Sequence, residues 1–258
     1  MPTEIIDEVR GEPGYYEGLN LDSAGLSELE DIVDTHYYQR IKEISPEHAN
    51  EFAAIPMERY HELSHLIDHG NSWVVGTRRL PKKETEKVKG MRFFNQLRDI
   101  VGPFDLTDQR GLGWDEMNWR IVRPERREDF GGLHSDKWFW TLTEGKIPPG
   151  KERMNIWISV HTEPGKCGLR VVPGAYGDDE SIRFKPIIDQ CGNTRPQWEN
   201  EEEYLENFDI NVLECKPGNV LIFNEDIIHG GSYNYGTTCR VSLEFTMLVD
   251  KLYARPYN

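Results

Sequence analysis

Two histidines and one aspartate in this sequence can together hold a divalent metal ion. His134 and Asp136 are separated by one residue, His229 follows far downstream, and Arg240 comes 11 residues after that histidine. Two imidazoles and one carboxylate can occupy one face of a ferrous ion and leave positions open for a co-substrate and dioxygen. A His-x-Asp alone is expected by chance about once in every two chains of this composition, so the surrounding sequence must decide.

Length and composition favour a single folded domain. The 258 residues include 7 Trp, 11 Tyr and 10 Phe, and 37% of all residues are hydrophobic. This apolar material is ample for a core, so intrinsic disorder is not expected. Barrels and sandwiches of this length often form one domain, and no linker argues for two. We therefore predict one domain over residues 1–258.

The charge of the chain argues against two classes of partner. The formal net charge is −15, and no run of Lys and Arg is long enough to form a phosphate-binding stripe. Nucleic acid and anionic membrane surfaces are therefore poor partners. Residues 1–14 lack the apolar segment of a signal peptide, and no stretch approaches the length of a membrane span. The sequence predicts a cytoplasmic protein that binds neither nucleic acid nor membranes.

Residues 1–110 have the pattern of a helical flank. Apolar residues recur on one side of a helix that starts at Ser23, the predicted N-cap, and ends before Pro46. Two further helical segments are predicted within residues 47–69 and 84–101.

Residues 111–258 change to short β-rich runs separated by loops that contain Pro and Gly. The predicted strands are Met117–Arg123, His134–Trp140, Arg153–Thr162, Gly168–Val172, Ile210–Cys215, Gly218–Phe223 and Arg240–Val249. Short strands with turn signals between them indicate a sandwich or barrel. The predicted fold is mainly β with flanking helices: a double-stranded β-helix (jelly roll) core, with an insert at about residues 175–209 placed to form a lid.

Strand alternation predicts which side chains face the interior. In the last strand Arg240, Ser242 and Glu244 share one face, because successive side chains point to opposite sides. A buried guanidinium needs an anion. That anion is either a ligand carboxylate or a structural partner such as Glu244 or Glu225. By the same alternation, a strand over residues 134–140 would direct the side chains of its His and Asp to one side.

Several motifs in fixed order carry a resemblance to a known family. They are Met117–Pro124 leading to Gly131–Asp136, the Trp-containing strand Asn155–Val160, the Gly-Leu-x-x-x-Pro-Gly stretch Gly168–Gly174, and Lys216–Phe223 followed by His229-Gly and Arg240. From 117 to 249 the chain resembles the phytanoyl-CoA hydroxylase-like (PhyH-like) family of non-haem Fe(II)- and 2-oxoglutarate-dependent oxygenases.

The resemblance implies roles for individual residues. It implies His134, Asp136 and His229 as the iron ligands, and Arg240 as the residue that binds the distal carboxylate of 2-oxoglutarate. Trp157 matches an aromatic wall beside that co-substrate. Two weaker candidates for polar contacts in the same pocket are Asn118 and Ser242.

The activity implied by the resemblance is a dioxygenase reaction with Fe(II), 2-oxoglutarate and O2. A C–H bond of a small molecule is hydroxylated or otherwise oxidised, as in biosynthetic pathways, and succinate and CO2 are released. Asp136 favours hydroxylation, desaturation or ring closure, since a related halogenating branch lacks this carboxylate. Two alternatives remain open: a cupin-type jelly-roll metalloenzyme that does not use 2-oxoglutarate, and a non-catalytic small-molecule-binding barrel.

The sequence gives only a weak indication of the substrate. The acidic composition, including residues 199–203 of the insert, favours a cationic or zwitterionic small molecule over a coenzyme-A thioester. An acidic surface that keeps the protein soluble explains the same composition.

Overall fold

The computed structural model describes residues 2–142, 147–177, 179–188, 194–202, 206 and 209–251. Within these ranges, no helix has both the length and the apolar character that crossing a membrane requires. The single-domain organisation over residues 1–258 stays a prediction.

Helices make up most of the first 101 residues. The α-helices are α1 (Pro2–Arg10), α2 (Ser23–Ile44), α3 (Ala49–Ala53), α4 (His69–Ser72), α5 (Lys82–Gly90), α6 (Arg92–Val101) and α7 (Asp136–Leu142), and short 3-10 helices span Pro46–His48, Met57–Glu62, Ser64–Leu66 and Arg127–Asp129. The bounds of α2 are those predicted, but its N-cap is Asp22 and not Ser23. The Asp22 carboxylate accepts a hydrogen bond from the Gly25 amide at 2.8 Å.

Two of the three predicted helical segments are interrupted. The segment at 47–69 consists of α3 and 3-10 turns on either side of Pro56. The segment at 84–101 is split into α5 and α6, because Met91 is extended (φ −65°, ψ 147°). The apolar pattern therefore placed helix in the right region without showing where the backbone breaks.

Strands form two facing sheets and one hairpin. They are β1 (Tyr15–Asn20), β2 (Phe104–Leu106), β3 (Asn118–Val122), β4 (Lys151–His161), β5 (Gly168–Tyr176), β6 (Phe184–Ile188), β7 (Thr194–Trp198), β8 (Asn211–Glu214), β9 (Asn219–Asn224), β10 (Ile227–Gly231) and β11 (Arg240–Asp250). The large sheet has the order β1-β9-β4-β11-β2, with β3 also paired to β11, and the small sheet has the order β10-β5-β8. The predicted class, mainly β with a jelly-roll core and flanking helices, is confirmed. The first 110 residues are not wholly helical, however, because β1 and β2 are strands of the large sheet.

Alternation along the central strands separates a core from a cavity. Val241, Leu243 and Phe245 of β11 pack with helix residues such as Tyr37 and Leu97 in one large apolar cluster. On the opposite face of the large sheet, side chains meet those of the small sheet, as in the cluster that joins Trp157, Leu221 and Phe223 to Leu169, Val171 and Leu213. The helices thus pack against one face of the large sheet, and its other face meets the small sheet.

The β6–β7 hairpin belongs to the insert predicted as a lid. Phe184 of β6 stacks on Trp138 of α7, with ring centroids 5.2 Å apart, and Trp198 of β7 meets the same ring edge-on at 6.3 Å. The hairpin therefore fixes α7 against the small sheet. Residues 178, 189–193, 203–205, 207 and 208 of the predicted lid lie outside the described residues.

The buried histidine of α2 predicts a loss of stability in acid. His36 Nδ1 accepts a hydrogen bond from Trp119 Nε1 at 2.9 Å, so its ring is neutral in the folded protein. Burial, assisted by Arg40, lowers the pKa of His36 from 6.5 to about 4. The unfolded chain binds this proton at higher pH than the folded chain does. The His36 contribution to the free energy of unfolding is therefore complete above pH 6.5 and is lost as the pH falls from 6.5 towards 4.

We expect His36→Gln, which retains an acceptor for Trp119, to remove this part of the pH dependence. Urea unfolding at pH 7 and at pH 5 should show that wild type loses about 2 kcal/mol more than the variant between these two values. His69, whose pKa burial also lowers to about 4, is present in both proteins and cancels in the comparison. Equal losses in the two proteins would show that His36 does not control acid stability.

Candidate functional site

The two histidines of the predicted triad are joined through their backbones. His134 N donates to His229 O, and His229 N donates to His134 O, both at 2.9 Å. This isolated antiparallel bridge lies at the end of the small sheet, where His229 is part of β10. It fixes the spacing of the two imidazole rings, whose centroids are 4.6 Å apart.

The aspartate of the triad lies on a helix, so the predicted strand His134–Trp140 is wrong. After the bridge, Ser135 Oγ and Lys137 N both donate to Glu225 O, at 2.9 and 3.1 Å. These bonds turn the chain away from a sheet edge, and α7 begins at Asp136. Trp138 of this helix is buried. His134 and Asp136 still approach each other, but through a turn and not through strand alternation.

Backbone carbonyls orient both imidazoles. His134 Nδ1 bonds to Gly132 O at 2.9 Å, and His229 Nδ1 bonds to Ile227 O at 3.0 Å. A carbonyl oxygen only accepts, so each Nδ1 carries a proton and Nε2 is the nitrogen that each ring presents to a metal. Each Nε2 faces one oxygen of the Asp136 carboxylate: the distance is 3.5 Å to Oδ1 for His134 and 3.6 Å to Oδ2 for His229.

The charges around Asp136 keep its carboxylate ionised. Burial alone raises the pKa of Asp136, but His229 and His134 outweigh this effect and hold the pKa below its ordinary value. Burial lowers the pKa of His229, against the attraction of Asp136. Each Nδ1 is bonded to a backbone carbonyl and each Nε2 faces the Asp136 carboxylate, so one atom of each side chain is placed to bind a metal.

Two polar residues that sequence reasoning missed hold Asp136 in place. Asn155 Nδ2 donates to Asp136 Oδ2 at 2.7 Å, and Thr246 Oγ1 donates to Asn155 Oδ1 at 2.8 Å. The hydroxyl of Thr246 thus fixes the amide orientation that directs Nδ2 at the carboxylate. A signal was present in the sequence, because Asn155 precedes Trp157 by two positions and must share its face of β4.

Arg240 is buried and borders the same cavity as the triad. Its side chain is 1% exposed, and NH1 donates to Gly168 O. Its Nε has no hydrogen-bond partner among the described residues, and its guanidinium lies 5.8 Å from the centre of the Trp157 ring. Burial lowers the pKa of Arg240 to about 10, so it stays charged at neutral pH. Neither Glu244 nor Glu225, the two structural partners considered from sequence, forms an ion pair with it.

A glycine makes space for this guanidinium. A Cβ on Gly231 would lie 3.0 Å from Arg240 NH2, closer than an ordinary contact. A Cβ on Gly230 would lie 2.9 Å from Gly132 O. The Gly230-Gly231 pair therefore accommodates Arg240 and the neighbouring backbone.

The remaining predicted residues lie in three different environments. Trp157 is 3% exposed and lines the cavity, and Asn118 also lines it, with an Oδ1 that is buried and lacks a partner among the described residues. Ser242 is fully buried directly opposite Ser159 in the β4–β11 pair, and it is not among the residues that line the cavity. Its Oγ likewise has no partner within the described ranges.

One cavity of about 230 Å³ connects these groups. It is bordered by the triad, Arg240, Trp157 and Asn118, and also by residues that sequence reasoning did not assign: Asn155, Arg120, Arg110, Glu116, Arg195, Phe139, Trp140, Phe223 and Glu244. Arg195 comes from the hairpin, so part of the predicted lid borders the cavity.

The donor set fits a divalent metal ion, and the far end of the cavity fits a carboxylate. One atom from each of His134, Asp136 and His229 lies within 4.8 Å of the others, and they are the only such group of three or more among the described residues. Two imidazoles and one carboxylate with open positions are typical of non-haem iron(II) oxygenases. Buried Arg240, with an unused Nε and a planar fork of donors, fits a carboxylate.

A jelly roll with this donor set defines a class, the non-haem iron oxygenases. The family model described as phytanoyl-CoA dioxygenase (PhyH) matches residues 48–242. The chain belongs to the phytanoyl-CoA dioxygenase family. None of the curated proteins matches it.

Solved structures share the fold at low sequence identity. AviO1 from Streptomyces viridochromogenes Tue57 superposes with a TM-score of 0.56 at 14% identity, over 100% of this chain and 98% of AviO1. SnoK, a non-haem α-ketoglutarate-dependent carbocyclase from nogalamycin biosynthesis, has a TM-score of 0.57 at 11% identity, over 95% and 83%. EctD from S. alaskensis, solved with 2-oxoglutarate and 5-hydroxyectoine, has a TM-score of 0.52 at 14% identity, over 96% and 74%.

The family confirms the predicted class of cofactors. An iron- and 2-oxoglutarate-dependent oxygenase was predicted, and membership of the family together with the metal-capable triad bears this out. The protein is accordingly an oxygenase that uses iron, 2-oxoglutarate and O2, and its family indicates a small-molecule substrate.

Proposed function

We propose that this protein is a dioxygenase that hydroxylates a C–H bond of a small molecule and releases succinate and CO2. The observation that carries the proposal is the presence, in one cavity, of three metal-capable donor atoms and a buried arginine with an unused Nε. Asp136 is part of this set, so the carboxylate that a hydroxylating site needs is present.

We assign the iron to His134 Nε2, His229 Nε2 and the Asp136 carboxylate. The distal carboxylate of 2-oxoglutarate is assigned to Arg240, with Trp157 as the wall beside it. Bound iron and 2-oxoglutarate supply the oxidising power for C–H oxidation by coupling O2 reduction to decarboxylation of the co-substrate. Asn118 lines the cavity and is a further proposed contact to 2-oxoglutarate, whereas Ser242 is buried and does not line the cavity.

The other side chains bind, orient and exclude water. Arg240 stays charged because its pKa of about 10 lies far above neutrality, so it offers a fixed bidentate fork to a carboxylate. Phe139, Trp140 and Phe223 give the cavity an apolar wall, which strengthens electrostatic interactions inside it. We propose that the β6–β7 hairpin of the insert, whose Arg195 borders the cavity, covers this cavity when substrate is bound.

Burial of Arg240 favours this proposal over the cupin-type alternative. An enzyme that does not bind 2-oxoglutarate has no use for a buried cation at the cavity, because desolvating a charge without an anion is unfavourable. The complete triad likewise supports turnover over a non-catalytic binding barrel.

Formation of succinate tests the proposed reaction directly. With iron(II), 2-oxoglutarate and O2, we expect slow succinate release even without substrate, and none from His229→Ala. His48→Ala, which removes a histidine that pairs with Glu51 on the surface, should behave like wild type. If the wild-type protein binds iron but forms no more succinate than His229→Ala, the proposed reaction is wrong and the two alternatives gain support.

Asn155 provides a second prediction, because it positions a proposed ligand without touching the metal. Asn155→Leu should weaken Co(II) or Fe(II) binding by about 10- to 100-fold, the usual effect of losing an outer-shell partner. Thr246→Val, which only frees the amide orientation, should have a smaller effect in the same direction. Metal titration of the folded variants measures both. Unchanged affinity in Asn155→Leu would mean that its hydrogen bond does not orient Asp136.

A further inference from the structure

A second pair of charged side chains faces the cavity and takes no part in the assignments above. Arg120 belongs to β3 and Glu244 to β11, which pair antiparallel with Arg120 opposite Ser242 and Asn118 opposite Glu244. Arg120 NH2 and Glu244 Oε1 are therefore diagonal neighbours across the strands, 3.7 Å apart. Both side chains border the cavity that the triad also lines.

This pair is loose, and its hydrogen-bonding capacity is unused. A separation of 3.7 Å is too long for a hydrogen bond, and in the described part of the chain neither side chain makes one elsewhere. Their exposed fractions are 31% for Arg120 and 37% for Glu244. Beside them, Asn118 Oδ1 is buried without a partner among the described residues.

Glu116, the neighbouring acidic residue of the cavity, already has charged partners within the protein. Glu116 accepts from Arg110 N at 2.8 Å and from Arg110 NH1 at 3.2 Å, and it pairs with Arg79 at 3.3 Å. Glu116 is thus neutralised by the protein itself. The guanidinium of Arg120 and the carboxylate of Glu244 remain available to a ligand.

The pair is also separate from the proposed carboxylate site of 2-oxoglutarate. Glu244 lies four residues along β11 from Arg240, which is about 13 Å at the usual strand rise. Arg240 is 1% exposed, whereas Arg120 and Glu244 are about one-third exposed. A ligand can therefore reach the pair while Arg240 is occupied.

We propose that Arg120 and Glu244 recognise a zwitterionic substrate of the amino-acid type; this inference rests on the proposed function. The carboxylate of the substrate binds the Arg120 fork, and its ammonium group donates to the Glu244 carboxylate. In an α-amino acid the nitrogen and the carboxylate oxygens are about 3 Å apart, which matches the 3.7 Å between the two protein charges. A ligand with one charge would leave the opposite protein charge unpaired in the cavity, whereas a zwitterion satisfies both.

Matched ligands of different charge test this inference. The full chain is loaded anaerobically with iron(II) and 2-oxoglutarate, and binding is measured by calorimetry. The panel contains the standard L-amino acids and their betaines, the carboxamides that keep only the cation, the N-acetyl derivatives that keep only the anion, and uncharged polyols. The variants are Arg120→Gln and Glu244→Gln, with Arg59→Gln as the control because Arg59 pairs with Glu62 on an exposed turn outside the cavity.

We expect at least one zwitterion to bind about tenfold or more tightly than its carboxamide and its N-acetyl derivative. Glu244→Gln should weaken binding of the zwitterion and of the carboxamide about tenfold and leave binding of the N-acetyl derivative unaffected. Arg120→Gln should weaken binding of the zwitterion and of the N-acetyl derivative and leave binding of the carboxamide unaffected. Arg59→Gln should change nothing. Circular dichroism confirms that each variant is folded before it is compared.

Three results would overturn the inference: equal or tighter binding of polyols or single-charge ligands, no binding by any zwitterion, or unchanged binding in both cavity variants. The visible band of the iron–2-oxoglutarate complex is recorded on the same samples. If the band forms and zwitterion selectivity fails, only this inference is wrong. If the band does not form, the proposed function fails and this inference fails with it.

Discussion

Asp136→Ala should abolish iron-dependent activity and weaken iron(II) binding by about a hundredfold or more. The variant removes the single carboxylate among the donor atoms within 4.8 Å of one another. Loss of an outer-shell partner alone usually reduces metal affinity 10- to 100-fold, so loss of a direct ligand should exceed this. The measurement is anaerobic titration with iron(II), followed by an assay of succinate formation.

Asp105→Ala is a suitable control for that experiment. Asp105 lies on β2, its side chain is 75% exposed, and its partner Lys151 also pairs with Asp250. We expect this variant to bind iron and form succinate like wild type. If Asp136→Ala retained wild-type iron affinity, the three-residue metal site would be wrong, whatever the activity of the variant.

Arg240→Met should raise the concentration of 2-oxoglutarate needed for half-saturation by about a hundredfold or more. Truncating one partner of a buried charge pair usually costs about 2–5 kcal/mol. Iron binding should be unchanged, because Arg240 takes no part in the triad. The free variant should also be at least as stable as wild type, since the only hydrogen bond of the buried guanidinium within the described residues is to Gly168 O. The measurements are 2-oxoglutarate titration of the iron-loaded protein and urea unfolding of the free protein.

Arg240→Lys separates charge from geometry at the same position. Lysine keeps the positive charge but lacks the planar fork and the Nε donor. We expect an intermediate loss of 2-oxoglutarate affinity, of about tenfold. If Arg240→Met bound 2-oxoglutarate as wild type does, Arg240 would not be the carboxylate site, and the cupin-type alternative would gain support.

The features of this fold that follow from periodic residue patterns within one strand or one helix were predictable from the sequence. Alternation in β11 placed Arg240 and Glu244 on one face and Leu243 on the other, as the structure has them. The 3.6-residue pattern gave the bounds of α2. Both are local periodicities that one apolar surface imposes on a strand or a helix.

Features set by tertiary contacts were not predictable in the same way. Asp136 lies on a helix because Ser135 and Lys137 bond to the backbone of Glu225, about ninety residues downstream. Strands β1 and β2 are short and join the large sheet only because its edges are available. The partners of Asn155 and Glu244 likewise depend on the registers of β4 and β3 with β11. Such pairings are properties of the assembled sheets, whereas the residue types of the triad and their order along the chain were visible from the start.

Anaerobic titration of the iron(II)-loaded protein with 2-oxoglutarate tests the central claim most directly. We expect a weak visible charge-transfer band in the wild type, no band in His134→Ala, and a band that requires far more 2-oxoglutarate in Arg240→Met. Iron binding without any band in the wild type would contradict the assignment of 2-oxoglutarate to this cavity, and failure to bind iron at all would contradict the metal site itself.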